Sequence, residues 1–317
     1  MTVTGPTVDR PIAVPPRQSV AVRRRPKPRS PLSIALLVIR YLVLIAGAII
    51  CLVPFVWMIS ASFQHEGDIF SWPIHWWPKD ATFENYKTFF GSGGHIGTWL
   101  LNSTFVAVVT TVLQLFLNSL MAYAFAKRRF PGRQWLFGLF LATLLVPGQM
   151  TTIPNYLILK HIPFFGGNNA VGVGGHGWLD SYAGLIVPAV VSAFGIFLIR
   201  QYMTSIPDEL LDAARVEGAS EFRIFWSIVL PLCKPVLAAN AIFTFGYFWN
   251  DFYWPLIVMS SPQHYTLSLG LALFIGAHKT AWTLLMAGSV IATIPVLIVF
   301  LVFQRYFVSG ISMTGMR

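Results

Sequence analysis

Runs of about 20 apolar residues recur along this 317-residue chain, and that recurrence limits what it can fold into. A helix rises 1.5 Å per residue, so roughly 20 residues cross the ~30 Å hydrocarbon layer of a bilayer. Six such runs fall at about 34–60, 98–125, 134–158, 182–203, 236–259 and 282–306. The chain is 55% hydrophobic and only 11% charged, whereas charged residues make up about a quarter of an ordinary soluble domain. These features predict an all-α, polytopic membrane protein with six transmembrane helices in the plasma (inner) membrane. Pro54, Pro147, Pro154, Pro188, Pro255 and Pro295 lie within the runs, which membrane helices tolerate where neighbouring groups re-satisfy the freed carbonyls.

Lys and Arg set the orientation. With both termini cytoplasmic, 18 of the 22 basic residues fall on or beside inside segments, and only Lys79, Lys87, Lys160 and Lys279 fall outside. All seven histidines then lie in outside loops, which argues against a haem or an imidazole-ligated metal within the spans. Residues 1–31 hold seven Lys and Arg, many prolines and few large apolar side chains, so they are expected to form a disordered basic tail. Directly before a span, such a tail is expected to meet anionic lipid rather than nucleic acid. The long apolar run after it lacks a small-residue cleavage site, unlike a signal peptide. Residues 32–317 form the transmembrane domain. Cys51 and Cys233 suggest no disulfide framework.

The longest inside connection, about 205–235, contains DAARVEGASEFRIFWSIVLPLCKP. Pro207 suits a helix start, and Asp208 and Glu209 complement the positive end of the helix dipole. Gly218 is placed to end that helix in a left-handed conformation, and Ser220 to cap a second one. In the second helix Phe222, Phe225, Trp226 and Val229 fall at i, i+3, i+4 and i+7, which predicts one apolar face. Ala213 and Ala214 offer little bulk, so another backbone can approach closely. This is the shape of a docking knob.

Those residues resemble the signature of ABC importer permeases, in which Glu-Ala-Ala, three residues, glycine and nine residues precede Ile-x-Leu-Pro. Here the matching positions are Asp212-Ala213-Ala214, Gly218, and Ile228-Val229-Leu230-Pro231, with Asp212 shortening the usual glutamate. LVPFVWMISASFQ, TFENY, LLVPGQMTTIPNYLI, FWNDFYWPLIV and ATIPVLIVFLVFQRYFVSG extend the resemblance toward the maltose-type second permease of the carbohydrate-uptake group. The resemblance implies a type I importer fold, with Asp212, Ala213, Ala214, Gly218, Phe222, Ile228, Leu230 and Pro231 docking on a cytoplasmic ABC ATPase dimer. It also implies a second homologous permease subunit and an extracytoplasmic sugar-binding protein. The ending ISMTGMR carries its glycine one place later than the group's Gly-Leu-Thr-x-Gly, which separates Gly315 and Arg317 from that pattern.

Two further segments stand out. Asp251 is the acid placed inside a predicted span, about 22 Å along it, and an intramembrane carboxylate is a functional candidate by default. Asn250 and Asp251 are suited to sugar hydroxyls, with Trp249 offering an apolar face. Equally, Asp251 is suited to bonding a neighbouring helix. The segment 166–177 holds six glycines and is expected to be flexible and irregular. By the resemblance, Asn168, Asn169, His176 and Trp178 would reach toward the binding protein's cleft; a plain linker is the other reading.

No Gly-x-x-x-x-Gly-Lys-Ser/Thr, nucleophile elbow or His-Glu-x-x-His is present, so the chain carries no P-loop and reads as a non-enzyme. No cofactor or metal is expected on it; ATP and Mg would sit on the partner ATPase. The function so read is the permease subunit of an ATP-driven importer for a sugar or related polyol. The alternative is an ion-coupled secondary transporter using Asp251, a class that tends to show internal repeats not evident here.

Overall fold

The computed structural model describes residues 31–91, 95–275 and 280–314. The basic segment 1–30, His278 and the Gly315–Arg317 ending lie outside them. The chain divides into two units, Met1–Val53 and Pro54–Arg317. In the first, the described part is the beginning of helix α1 (Pro31–Ser62). None of its described side chains up to Val53 is buried, although nearly all are apolar. Such a surface requires an apolar surrounding, and the Ile34–Ser62 stretch is long enough to cross a bilayer.

The second unit is helical, and its described residues form no β-strand beyond the isolated bridge Ile275–Thr280. After α2 (Glu84–Gly91) comes the long α3 (Ile96–Lys127). Helices α4 (Arg133–Thr143) and α5 (Thr152–Lys160) follow, then α6 (Tyr182–Ile186) and α7 (Ala193–Thr204). The 205–235 connection holds α8 (Asp208–Val216), α9 (Glu221–Ile224) and α10 (Leu230–Leu232). The chain ends with α11 (Lys234–Asn250), α12 (Tyr253–Val258), α13 (Leu267–Leu271) and α14 (Trp282–Thr314). α3 packs against α7 and α11, and α11 packs against α14.

Among the described residues three helices are long and apolar enough to cross a membrane, and the count reaches six if each of three bent pairs makes one span. The predicted third span, 134–158, is not continuous: α4 and the segment from Gly148 to Lys160 meet at 93°. Pro147 is the cause, because it has no N–H for the Thr143 carbonyl and its ring clashes there. The predicted fourth span bends by 41° around a 3₁₀ turn, Val187–Ala189, that contains Pro188. α7 then starts afresh, with the Ser192 hydroxyl accepting from the Gly195 N–H at 3.3 Å. The predicted fifth span, 236–259, breaks at Asp251, which adopts an extended conformation beyond the end of α11. Pro255 lies four residues on and cannot continue the helical ladder onto the Asp251 carbonyl.

Breaks inside a membrane free backbone groups that lipid cannot satisfy. Side chains of α3 satisfy several of them. Gln114 Nε2 donates to the Ala189 carbonyl at 2.7 Å, and Asn118 Oδ1 accepts from the Ser192 N–H at 3.0 Å. Toward the other end, Asn102 Nδ2 donates to the carbonyls of Gln263 and Tyr265 at 2.8 and 2.9 Å. Ser103 Oγ accepts from the Leu267 N–H at 2.7 Å, and Trp99 Nε1 donates to the Pro262 carbonyl at 2.7 Å. α3 and α7 approach closely because position 195 is glycine. A Cβ there would lie 2.2 Å from Asn118 Nδ2.

Replacing Asn102 by Leu removes both carbonyl bonds and the acceptor of the Tyr182 hydroxyl, which lies at 2.7 Å. Asn102→Leu is expected to lower stability by about 1–3 kcal/mol. Thermal melting in lipid nanodiscs measures this, and an unchanged Tm contradicts the assigned role.

Candidate functional site

The 205–235 connection folds as a helical hairpin. Pro207 sits immediately before α8, and Asp208 and Glu209 occupy its first turn. Gly218 has φ +82°, and the Ala219 N–H reaches back to the Ala214 carbonyl at 3.0 Å, closing α8 in a left-handed turn. Ser220 Oγ then accepts from the Arg223 N–H at 3.3 Å and caps α9. The second helix runs from α9 through a π-helical turn, Phe225–Val229, into α10.

The expected single apolar face of that helix is divided in two. Phe225 and Val229, with Ile224, are buried against Ala122, Tyr123, Ile199, Met203, Ile206, Leu211 and Cys233. Phe222 and Trp226 instead stack on each other, 6.3 Å apart, and face outward. The π turn widens the helix, so the buried stripe is rotated away from the one that 3.6-residue periodicity predicts. Leu230 packs half-buried on the cluster, Ile228 is half-buried, and Pro231 is exposed. Asp212, Ala213 and Gly218 are exposed and Ala214 is half-buried. Val216 is 90% exposed, so the outer surface of the hairpin is small and apolar at its centre.

Behind that surface, charges tie the hairpin to the end of α3. Lys127, with its side chain 4% exposed, donates to the Ile206 carbonyl at 2.5 Å and to Asp208 Oδ1 at 2.7 Å. Glu221 is the hub. It accepts from Arg215 Nε at 2.9 Å and from the Tyr123 hydroxyl at 2.7 Å, and it pairs with Arg128. Arg215 also pairs with Asp212 at 2.5 Å. The Arg215 hydrogen bond, followed by those of Tyr123 and Arg128, outweighs burial and pulls the Glu221 carboxyl down from 4.5 to about 2. The Lys127 hydrogen bond and charge likewise hold Asp208 below the usual carboxylate range.

A cavity of about 520 Å³ lies between α5, α7 and α11, with Gln114 of α3 also on its wall. Its polar lining includes Gln149, Asn155, Asn240, Thr244 and Asp251. Of the residues expected on a substrate path, Asp251 alone faces it. Trp249 is 1% exposed, stacks on Phe245, and spends its Nε1–H on the Ala292 carbonyl of α14 at 2.8 Å. Asn250 turns its amide to the Gly246 carbonyl at 2.7 Å, away from the cavity. Gln114, Asn240 and Thr244 did not stand out from sequence. The signal for Gln114 is the polar stripe Thr110, Gln114 and Asn118 at i, i+4 and i+8 on α3, and that for Asn240 and Thr244 is their own i, i+4 spacing on α11.

The glycine-rich segment is tightly knitted, contrary to the expected flexible loop. Asn168 is buried: its Nδ2 donates to the carbonyls of Lys160 and Ile162, and its Oδ1 accepts from the Gly175 N–H. Asn169 Oδ1 accepts from the Val171 and Val173 N–H groups. Trp178 packs edge-on against Phe165 and its N–H bonds the Leu159 carbonyl at 2.9 Å. His176 is exposed, with Nδ1 against the Leu179 carbonyl. Glycine is required here for close approach: a Cβ on Gly177, at φ +61°, would lie 2.1 Å from the Leu159 carbonyl oxygen.

Comparison with known proteins places this architecture. Residues 114–313 match the family described as binding-protein-dependent transport system inner membrane component. The arabinooligosaccharides transport system permease protein AraQ of Bacillus subtilis (strain 168) is 38% identical over 240 residues, 76% of this chain and 80% of AraQ. The sn-glycerol-3-phosphate transport system permease protein UgpE of Yersinia pestis bv. Antiqua (strain Antiqua) is 34% identical, over 86% of this chain and 94% of UgpE. A crystal structure of a bacterial ABC transporter that imports the acidic polysaccharide alginate shares the fold, with TM-score 0.74 and 24% identity. It aligns with 88% of this chain and 99% of its own. The chain belongs to the binding-protein-dependent inner membrane component family, the membrane permeases of ABC importers. It is a multi-pass membrane protein with the type I importer permease fold.

The shifted Glu221 carboxyl makes a pH prediction. Its folded value is depressed, so its ties contribute fully above the ordinary value of 4.5 and fade as pH falls toward 2. Protection of the amides of residues 217–225, measured as exchange relative to the intrinsic rate at each pH, should therefore fall within that window. In Glu221→Gln protection should already be low at neutral pH, with the step in that window gone. Wild-type protection that does not change across the window contradicts the hub.

Proposed function

We propose that this chain is half of the translocation pathway of an ATP-driven importer for a sugar or related polyol, coupled to its ATPase through the 205–235 hairpin. The observation that carries the reading is the hairpin's two-sidedness. Its inner side is fixed to α3 by Lys127, Arg128 and Tyr123, while Ala213, Val216 and Gly218 lie open on its outer side. A rigid element with a small apolar outer surface suits the cleft of another protein. ATP and Mg would bind a separate cytoplasmic ATPase dimer, and its closure would push the hairpin and α3 together. The two states differ in their contacts with the ATPase, which is what lets ATP bias one over the other.

A second homologous permease would supply the facing half of the pathway, and an extracytoplasmic sugar-binding protein would deliver cargo. One structural neighbour, at TM-score 0.60 and 13% identity, is titled as an alginate ABC transporter in complex with an alginate pentasaccharide-bound periplasmic protein. In this reading the knitted loop around Asn168 meets the binding protein as a rigid contact, through exposed Phe164, Val171 and His176. The relatives are named for an arabinooligosaccharide and a glycerol phosphate, both polyhydroxylated.

Purification of the tagged chain in mild detergent, with mass spectrometry of what accompanies it, tests the assembly. An ABC ATPase and a second permease are expected. Because Ala213 is exposed, Ala213→Trp should leave the fold intact and release the ATPase while retaining the second permease. A wild-type chain that emerges alone contradicts the proposal.

A further inference from the structure

Between α1 and α2 the stretch FSWPIHWW leaves its large apolar side chains in the open: Phe70, Trp72, Ile74, Trp76 and Trp77 are all exposed, Trp72 by 89%. Single exposed apolar residues are ordinary, but a contiguous group of this size marks a contact with something apolar. The attachments of the loop show where that contact lies. Ser60, in the last turn of α1, donates its hydroxyl to the Trp76 carbonyl at 2.5 Å, and Gln64 Nε2 donates to the His75 carbonyl at 2.9 Å. The chain thus doubles back beside the end of one span instead of rising away from it. At the start of another span, the Glu66 carboxylate accepts from the Trp282 and Thr283 N–H groups at 3.0 Å each, and Phe70 meets the Trp282 ring edge-on at 5.5 Å. From Trp282 to Gln304, α14 holds no charged residue, and Arg305 follows. That charge-free stretch rises ~35 Å, the hydrocarbon thickness and a little over. Trp282 therefore marks a membrane–water boundary, and the loop is held at its level.

We infer that residues 70–77 are an interfacial anchor whose partner is phospholipid, with the Trp72, Trp76 and Trp77 rings set into the headgroup layer. The membrane face concerned is the one opposite the 205–235 hairpin, since α3 starts on this side and holds the hairpin at its other end. An indole has an apolar body and one N–H, which suits the boundary where one end is greasy and the other wet. The other side of the loop is polar: Gln64, Asp68, Ser71, His75 and Lys79 line a cavity of about 300 Å³. Aromatic rings on one side and charged groups on the other are the pattern of an element that lies in the interface plane. A protein docking from the aqueous phase needs a surface that projects past the headgroups, and the ties to Ser60 and Trp282 hold this one down among them. Because the loop joins the ends of α1 and α14, its rings fix both ends at one depth.

The test is a measurement of depth. Nitroxide labels are placed at Trp72→Cys or Trp77→Cys, with exposed Cys51 replaced by Ser and buried Cys233 kept. The full chain, with the subunits that purify with it, is reconstituted in vesicles of phosphatidylethanolamine and phosphatidylglycerol. Power saturation then compares relaxation by oxygen, which concentrates in the bilayer, with relaxation by a water-soluble nickel chelate. Val171→Cys, on the glycine-rich loop and 80% exposed in the wild type, is the aqueous reference. An oxygen-to-nickel ratio several-fold above that of the reference is expected at both positions. A ratio equal to the reference overturns the anchor. Labels shielded from both reagents also overturn it, and give the patch to another protein. The chain without labels supplies a second readout, in vesicles of lipid brominated at the top of the acyl chains. Replacing all three rings, Trp72→Phe with Trp76→Phe and Trp77→Phe, should remove a large part of the tryptophan quenching seen in the wild type. Quenching that the triple variant leaves unchanged contradicts the anchor.

Discussion

Hydrocarbon offers no hydrogen bonds, so a membrane chain with broken helices must carry the partners of its own breaks. In this chain α3 carries many of them. Gln114 and Asn118 hold the backbone around the Pro188 break, and Asn102 and Ser103 hold the stretch from Gln263 to Leu267. Without Gln114 and Asn118 the bend at Pro188 would leave the Ala189 carbonyl and the Ser192 N–H without these partners. Together with Asn102 and Ser103 they make α3 the member on which α6, α7 and the segment before α13 are hung. Gly195 is part of the same arrangement, since a larger residue would push α7 away from Asn118.

The same helix reaches the 205–235 hairpin. Tyr123, Lys127 and Arg128, in its last turn and just beyond, bind Glu221, Asp208 and the Ile206 carbonyl, while Gln114 stands on the cavity wall some three turns back. One rigid element thus touches both the proposed docking surface and the proposed cargo path. That continuity gives a physical route by which a push on Ala213 and Val216 could change the shape of the cavity. Bent helices with short, separately capped pieces, such as α6 and α7, are the parts able to shift relative to it.

Local chemistry made much of this legible in the sequence. Pro207, Gly218 and Ser220 behave as their types predict, because a helix start, a left-handed turn and a cap depend on a few neighbouring residues. The long apolar runs likewise announced the membrane class. What stayed hidden depends on contacts distant in sequence. Trp249 looked like a sugar platform, yet α14 takes its Nε1–H. Six glycines looked like slack, yet Asn168 and the Leu159 carbonyl use their small size to knit the loop closed. The rotated face of α9 and α10 follows from a π turn that a 3.6-residue period does not contain. Gln114 and Asn240 were passed over because an amide in a span reads as packing until the cavity beside it is seen.

Whether the hairpin and α3 move as one body is directly measurable. Spin labels at Val216→Cys and Leu101→Cys, both exposed, would report on the hairpin and on the far part of α3, which rises about 39 Å between Leu101 and Lys127. Exposed Cys51 is replaced by Ser, and buried Cys233 is left in place. Pulsed electron–electron distance measurements are then made on the reconstituted transporter with and without ATP. Rigid coupling requires this distance to stay constant while a second pair, Leu101→Cys with Val146→Cys across the broken α4–α5 span, changes on ATP addition. A Val216–Leu101 distance that shifts as much as the second pair would show that the hairpin moves without α3 and would contradict the coupling route.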